Sequence, residues 1–404
     1  MKTLLQINTI VNSGSTGRIA EEIGQLALKN GWESYIAYGR NKRPSKSKLI
    51  RIGTEGAIAA HGLQTRLFDN HGLASKRATF KLVKQIMEIN PDIIHLHNLH
   101  GYYLNIEILF NYLAECNIPV IWTFHDCWPI TGHCTHFDFV GCEKWKTECY
   151  CCPQKTNYPA SYFMDRSRKN HHLKKKLFTS VKGLNIVAVS NWLSSIIHKS
   201  FLSETPMVTI HNGVNTEVFA PQHSTNIRMK YNLGEGFIIL GVASVWSQNK
   251  GLNDFVELSK LIDPFTKIVL VGLSRRQIQN LPGNIIGIAK TEDIQELAEL
   301  YSTANIFINT SVEETFGLTT AEALSCGTPA IVYNTTACPE VVDDSTGFVL
   351  EKHDITGILQ TIQTVKRIGK EKYSENCTKR IKENFNKIDK YQDYLNLYDQ
   401  LLSN

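Results

Sequence analysis

Glu314 and Glu322 stand seven residues apart in the stretch Ser311-Val312-Glu313-Glu314-Thr315-Phe316-Gly317-Leu318-Thr319-Thr320-Ala321-Glu322. An apolar strand pattern, Ile306–Asn309, precedes the stretch, and a helical pattern, Thr319–Ser325, follows it. The first amides of a helix point outward without intrahelical partners and carry the positive end of its dipole. Gly317 with such amides therefore favours an anion such as a diphosphate. In that setting Glu322 can accept from two ribose hydroxyls, and Glu314 can hold the hydroxyls of a sugar joined to the diphosphate. The plainer alternative is a helix with an acid near its start and a solvated second glutamate, and spacing alone leaves both open.

Histidines form the second concentration of chemistry. His95, His97 and His100 fall in Asp92–Gly101, and His125 follows in Trp122-Thr123-Phe124-His125-Asp126. Three of the four sit at strand ends, where a ligand cleft would lie, although any one of them also fits a hydrogen-bonded loop histidine. A third feature is the basic segment 165–178, in which Lys174, Lys175 and Lys176 adjoin Leu173, Leu177 and Phe178. It reads either as a solvated helix face or as a contact for anionic lipid or a lipid-diphosphate acceptor.

The remaining composition narrows the classes. In 404 residues, 43 Lys plus Arg against 38 Asp plus Glu leave a net charge of +5, too mild to imply nucleic acid. No apolar run approaches the roughly 18–20 residues of a membrane span. Gln6 and Asn8 interrupt any leader-like core after Leu4-Leu5. The expectation is a cytoplasmic protein, peripheral if it meets a membrane at all. Six of the ten Cys lie between Cys127 and Cys152, which in a large chain of this kind reads as metal ligands or reduced thiols rather than a disulfide framework.

Strand and helix patterns alternate along the chain, which predicts parallel sheets with helices on their faces. Strands are expected at Leu4–Ile10, Ser34–Tyr38, Asp92–Leu96, Val120–Phe124 and Asn185–Val189, with a helix over Arg18–Asn30 after the loop Asn12–Gly17. The alternation restarts at Met207–Ile210 and continues through Phe237–Val245, Lys267–Val271, Ile285–Ile288, Ile306–Asn309 and Ala330–Tyr333. Residues 127–182 resist the pattern and form an insertion. The prediction is an α/β protein of two doubly wound domains, 1–205 and 206–385, with a closing helical segment 386–404. Such domains bind ligands outside the carboxyl ends of their strands, so the expected site is a cleft between them.

The Glu314–Glu322 spacing, in the context Thr-Phe-Gly-Leu and Glu-Ala-Leu-Ser-Cys-Gly-Thr-Pro, resembles the donor signature of the retaining glycosyltransferases of family 4. Asn212-Gly213-Val214-Asn215, Lys250-Gly251, Pro339-Glu340-Val341-Val342 and Gly347-Phe348-Val349 agree with that family in order and spacing. Gly14-Ser15-Thr16-Gly17, Asp69-Asn70-His71-Gly72, Asp92–Gly101 and Trp122-Thr123-Phe124-His125-Asp126 resemble a subgroup that builds colanic acid and other surface polysaccharides. The resemblance implies a GT-B fold with a C-terminal helix crossing back to the first domain. It implies a nucleoside-diphosphate sugar donor, here guessed to be a UDP-sugar, and a glycan or lipid-diphosphate acceptor. It assigns catalysis to His125, Lys250 and Glu314, and donor binding to Gly17, Lys250, Glu314, Phe316, Gly317, Leu318, Thr319 and Glu322. Asp69, His71, His97, Asn98 and His100 become acceptor-side candidates.

One departure stands out: the family's Arg some six residues before the diphosphate lysine is replaced near Ser244, leaving Arg275 or Arg276 as candidate substitutes. The chain contains no Asp-x-Asp, and transfer without a catalytic metal is expected. Cys134, Cys142, Cys149 and Cys152, spaced Cys-x7-Cys-x6-Cys-x2-Cys, read as a structural tetrathiolate zinc site, with separate buried thiols or disulfides formed on oxidation as alternatives. The resemblance to the subgroup implies these four and leaves out Cys127 and Cys151. Competing readings are a nucleotide-sugar epimerase of the same architecture and a non-catalytic nucleotide-sugar-binding protein. A dehydrogenase is disfavoured because the first loop lacks Gly-x-Gly-x-x-Gly and the second strand ends in Tyr38-Gly39-Arg40.

Overall fold

A computed structural model describes residues 1–222 and 226–403. It resolves into two α/β units, one of Met1–Ile210 together with the segment from Tyr391 on, the other of His211–Lys390. The first unit carries β1 (Thr3–Asn8), β2 (Glu33–Tyr38), β3 (Lys48–Arg51), β4 (Ile93–Leu96), β5 (Val120–Phe124), β6 (Leu184–Ala188) and β7 (Met207–Thr209), all parallel, in the order β3-β2-β1-β4-β5-β6-β7. Central strands such as β4 and β5 are buried along their whole length, which is why they read as continuous apolar runs rather than alternating ones.

The helix Gly14–Lys29 covers this sheet with Ile19, Ile23 and Ala27 against Leu4, Ile93 and Trp32. The last helix, Lys387–Ser403, adds Tyr391, Tyr394, Leu395 and Tyr398 to the same core. Burying side chains of this size contributes about 1.5–3 kcal/mol each, enough to hold the C-terminal segment on the first unit.

The second unit carries β8 (Phe237–Val242), β9 (Thr266–Val271), β10 (Ile285–Ile288), β11 (Ile306–Asn309), β12 (Ala330–Tyr333) and β13 (Gly347–Leu350), also parallel, in the order β10-β9-β8-β11-β12-β13.

The differences from the sequence reading have local causes. The first helix begins at Gly14, so Gly14–Gly17 forms its first turn instead of a loop. The strand expected to reach Val245 ends at Val242; Trp246 then turns inward against Phe255, its indole N–H donating to the Val271 carbonyl at 2.8 Å. Strands β3 and β13 were not anticipated, and both lie at sheet edges, where burial leaves the weakest apolar signature. The insertion 127–182 contains three single 3₁₀ turns, at Trp128–Ile130, Asp138–Val140 and Lys144–Lys146, and one helix, Ser167–Phe178.

That helix corrects the reading of the basic segment. Lys174 is buried, 2% exposed; its ammonium donates to the carbonyls of Trp128 at 2.6 Å and Thr131 at 2.9 Å and lies 3.5 Å from the Trp128 ring centroid. It saturates the end of a 3₁₀ turn, and burial pushes its pKa down to about 7. Arg168, Lys169, Lys175 and Lys176 remain exposed.

Candidate active site

In the second unit, β11 leads into the loop that carries Glu314. Gly317 caps the helix Leu318–Ser325 in the left-handed region, φ +95°, where a side chain would be strained. The first intrahelical bond is made by Thr320 N to Gly317 O, so the amides of Leu318 and Thr319 precede it at the positive end of the helix.

Lys250 arrives from the other side, at the end of the 3₁₀ turn Gln248–Lys250 after β8. Gly251 fixes this approach: its φ is +68°, and a Cβ there would sit 2.4 Å from the Thr310 carbonyl oxygen. Thr310 Oγ1 donates to Lys250 O at 2.9 Å, and Val312 N donates to Asn249 O at 2.9 Å. The two loops are thereby stitched together, and Lys250 Nζ donates to Glu314 Oε1 at 2.5 Å. Thr336 Oγ1 accepts from Glu314 N at 2.9 Å, holding the backbone of that glutamate in place.

Glu322 lies in the second turn of the helix and is largely buried, with Tyr301 OH donating to its Oε2 at 3.0 Å. Phe316 is buried, while Leu318 and Thr319 are partly exposed at the helix start. Ser244 is exposed and supplies no cation. Arg275 and Arg276 open the helix Arg275–Gln279 after β9, both exposed.

In the first unit, His97 and His125 come together at the ends of β4 and β5. His97 Nδ1 is 3.1 Å from His125 Nε2, with the rings stacked at 5.4 Å. Burial lowers the His125 pKa to about 4 and holds His97 well below the usual histidine range. Both imidazoles are therefore neutral at pH 7. His100 Nε2 pairs with Asp126 Oδ2 at 2.6 Å, and His100 Nδ1 meets Tyr158 OH at 3.1 Å. Burial would raise Asp126, but His100, together with His136 and the Trp128 amide, draws it down to about 2. Asn98 is partly exposed beside them, its N–H donating to Asn8 Oδ1 at 3.3 Å. His95 packs its ring against that of His97, centroids 4.1 Å apart, and is buried between Thr123 Oγ1 at 2.8 Å and Tyr398 OH at 2.6 Å.

Asp69 and His71 are placed differently from their sequence assignment. Asp69 is completely buried and anchors the insertion, accepting from Arg166 N at 2.8 Å and pairing with His133 Nδ1 at 2.6 Å. His71 is 3% exposed; its Nε2 accepts from Gly101 N at 3.3 Å, and its ring packs on Tyr102 and Trp128. Gly17 makes room for its own chain, since a Cβ there would lie 3.1–3.2 Å from Ile10 and the Asn12 amide.

Cys134, Cys142, Cys149 and Cys152 line one small cavity in the insertion, with His133, Phe137 and Trp145. Cys134 hydrogen-bonds to Cys152, which holds the Cys152 thiol low and pushes Cys134 up. Gly132 N donates to Cys149 Sγ at 3.3 Å. Among the described residues, no three or more His, Cys, Asp or Glu side chains are gathered at metal-holding distance.

Tyr301, Thr310 and Gln6 support the site and were not singled out from sequence. Gln6 had a usable signal, a polar residue inside the apolar strand Thr3-Leu4-Leu5-Gln6-Ile7.

Two parallel-sheet units of this kind, with Lys250, Glu314 and Glu322 gathered where a helix begins after a strand, define a GT-B glycosyltransferase. Residues 16–218 match the family described as Glycosyltransferase Family 4, and residues 236–366 match the one described as Glycosyl transferases group 1. The chain belongs to glycosyltransferase family 4. WcaC of Escherichia coli (strain K12), a glycosyl transferase assigned to colanic acid biosynthesis, is 24% identical over 382 residues, which cover 88% of this chain and 89% of WcaC. Among solved structures, sucrose-phosphate synthase from Thermosynechococcus elongatus superposes with a TM-score of 0.74 at 18% identity, covering all of both chains. Anabaena Alr3699/HepE in complex with UDP-glucose superposes with a TM-score of 0.71 at 13% identity, covering 99% of this chain and all of that one. No helix among the described residues is long and apolar enough to cross a membrane.

Proposed function

We propose that the protein transfers a hexose, with retention of configuration, from a UDP-sugar to a surface-polysaccharide or lipid-linked glycan acceptor. The observation that carries this reading is the Lys250–Glu314 pair held beside the start of the helix that bears Glu322. Departure of a nucleoside diphosphate builds negative charge on the phosphates. Lys250 and the amides of Leu318 and Thr319 are the groups that stabilise it. Glu322 holds the ribose hydroxyls, and Glu314 exchanges part of its bond to Lys250 for hydroxyls of the transferred sugar. Arg275 or Arg276 supplies the second cation that Ser244 cannot.

His125, at the end of β5 in the first unit, is the residue that this reading assigns to the transferred sugar. His97, Asn98 and His100 lie on the acceptor side. The choice of UDP is supported by the fold shared with HepE, whose structure holds UDP-glucose. The acceptor class is supported by the relationship to WcaC. The enzyme works in the cytoplasm, with Arg168, Lys169, Lys175 and Lys176 resting on the anionic inner face of the membrane. Offering purified protein a panel of sugar nucleotides, with lipid-linked acceptors, and measuring release of UDP or GDP tests this reading. UDP release is the expected result.

The proposal includes a structural zinc ion held by Cys134, Cys142, Cys149 and Cys152. Four thiols around one cavity, with an amide already donating to Cys149 Sγ, suit a tetrathiolate. Binding would draw the sulfurs inward and order the part of the insertion before the helix Ser167–Phe178, which is built of isolated turns. Four thiolates leave no open coordination position, so this ion would take no part in the reaction.

A further inference from the structure

Gln6 lies on β1, far in sequence from the histidines, yet its amide joins their network. The Ala20 carbonyl can only accept, and it lies 2.7 Å from Gln6 Nε2, so the amide orientation is set by the helix Gly14–Lys29. Gln6 Oε1 then faces His97 Nε2 at 3.0 Å. An amide oxygen only accepts, so His97 Nε2 carries the proton. Its Nδ1 is left bare and accepts from His125 Nε2 at 3.1 Å. The chain of single-direction bonds therefore runs from a helix carbonyl to the histidine assigned to the sugar.

We infer that Gln6 and His97 are positioning residues that lock His125 in its Nε2–H tautomer, so that any bond its Nδ1 makes, to a substrate hydroxyl included, is one that Nδ1 accepts. The assignment of the substrate rests on the proposed transferase reading; the tautomer does not. Burial of both rings keeps them neutral, so the direction of the relay holds at pH 7. The Trp122 indole N–H donates to the His97 carbonyl at 2.8 Å and fixes the strand end from which the relay operates. The relay also explains why β1 tolerates a fully buried glutamine at a core position.

The direct test is long-range ¹H–¹⁵N spectroscopy of the imidazole nitrogens in the full-length protein, with His125 signals assigned by their loss in His125→Asn. A protonated Nε2 and an unprotonated Nδ1 for His125 at pH 7 are expected. A protonated Nδ1 would overturn the relay, whatever the activity. Turnover gives the second measure. His97→Leu removes the acceptor for His125, whereas His97→Asn keeps an oxygen close to the former Nδ1. His97→Leu should lower kcat by about tenfold or more with donor KM nearly unchanged, and His97→Asn should restore most of it. Equal kcat in His97→Leu and wild type would also overturn the proposal. If no sugar nucleotide reacts but the Nε2–H tautomer is found, the transferase reading fails and the relay stands.

Discussion

Lys250 Nζ lies 2.5 Å from Glu314 Oε1, although the two residues are 64 positions apart in the chain. The pairing exists because Gly251 lets one loop press on Thr310 of the other. It holds a cation and a carboxylate in register; on the proposed reading, a diphosphate entering the site competes with Glu314 for the ammonium.

The two ends of this site should separate kinetically. Lys250→Ala removes charge stabilisation that grows during reaction, so kcat should fall by roughly 100-fold or more. If Glu322 holds the ribose as proposed, Glu322→Ala loses contacts shared by ground and transition states, so donor KM should rise by about tenfold with kcat little changed. Steady-state kinetics on both variants checks the split; equal effects on kcat would show that the roles are misassigned.

The strands most buried were the most legible in the sequence. β5, β11 and β12 match their expected ranges because a buried, predominantly apolar run has one interpretation between turn residues. The edge strand β10 also matches, although Ile286 and Gly287 are only partly buried. The segment proposed for the donor stood out for a related reason: Glu314, Gly317 and Glu322 lie on one continuous stretch. The Lys174 environment was not, because a run of three lysines gives no sign of which one meets two turn carbonyls. The contacts of Asp69 and His71 were not legible because their partners, His133, Arg166 and Gly101, are distant in sequence and only the fold brings them together.

Lys174 and its neighbours should behave in opposite ways. Lys174→Ala removes the charged donor from the Trp128 and Thr131 carbonyls, leaving Trp128 O only the longer 3.4 Å contacts of Thr131, and costs about 2–4 kcal/mol. For a domain of this size the Tm should drop by roughly 5–15 °C. Replacing Lys175 and Lys176 with Gln should leave Tm within about 2 °C, since surface substitutions away from such features change stability little. The same double variant should lose co-sedimentation with anionic liposomes if that face meets lipid. Unchanged sedimentation would make it an ordinary solvated surface.

Acid should destabilise the first unit over a defined range. His61 and His125 have folded pKa values of about 4, and His71, His95 and His97 are also held below the ordinary 6.5, all chiefly by burial. The unfolded chain therefore binds more protons than the folded one between about pH 6.5 and 4. The stability of these neutral rings is fully present above about 6.5 and is lost as pH falls toward 4. Asp126, folded pKa about 2, adds a further loss below its ordinary 3.8. Denaturant melts across pH 4–8 should show stability climbing through this window; a flat profile would contradict the burial of the histidines.

Protein purified without chelator should contain about one zinc per chain if the four thiolates close on an ion. Cys149→Ser should then lose the metal and lower the Tm, whereas Cys151→Ser should do neither. Metal content measured by elemental analysis decides this, and no zinc in the wild type would end the tetrathiolate reading.

A crystal structure with an intact UDP-sugar bound tests the central claim most directly. The account predicts ribose hydroxyls within hydrogen-bond distance of the Glu322 carboxylate, the diphosphate against Lys250 and the amides of Leu318 and Thr319, and the sugar between Glu314 and His125 Nδ1. A nucleotide bound with its ribose away from Glu322, or a sugar out of reach of His125, would contradict it.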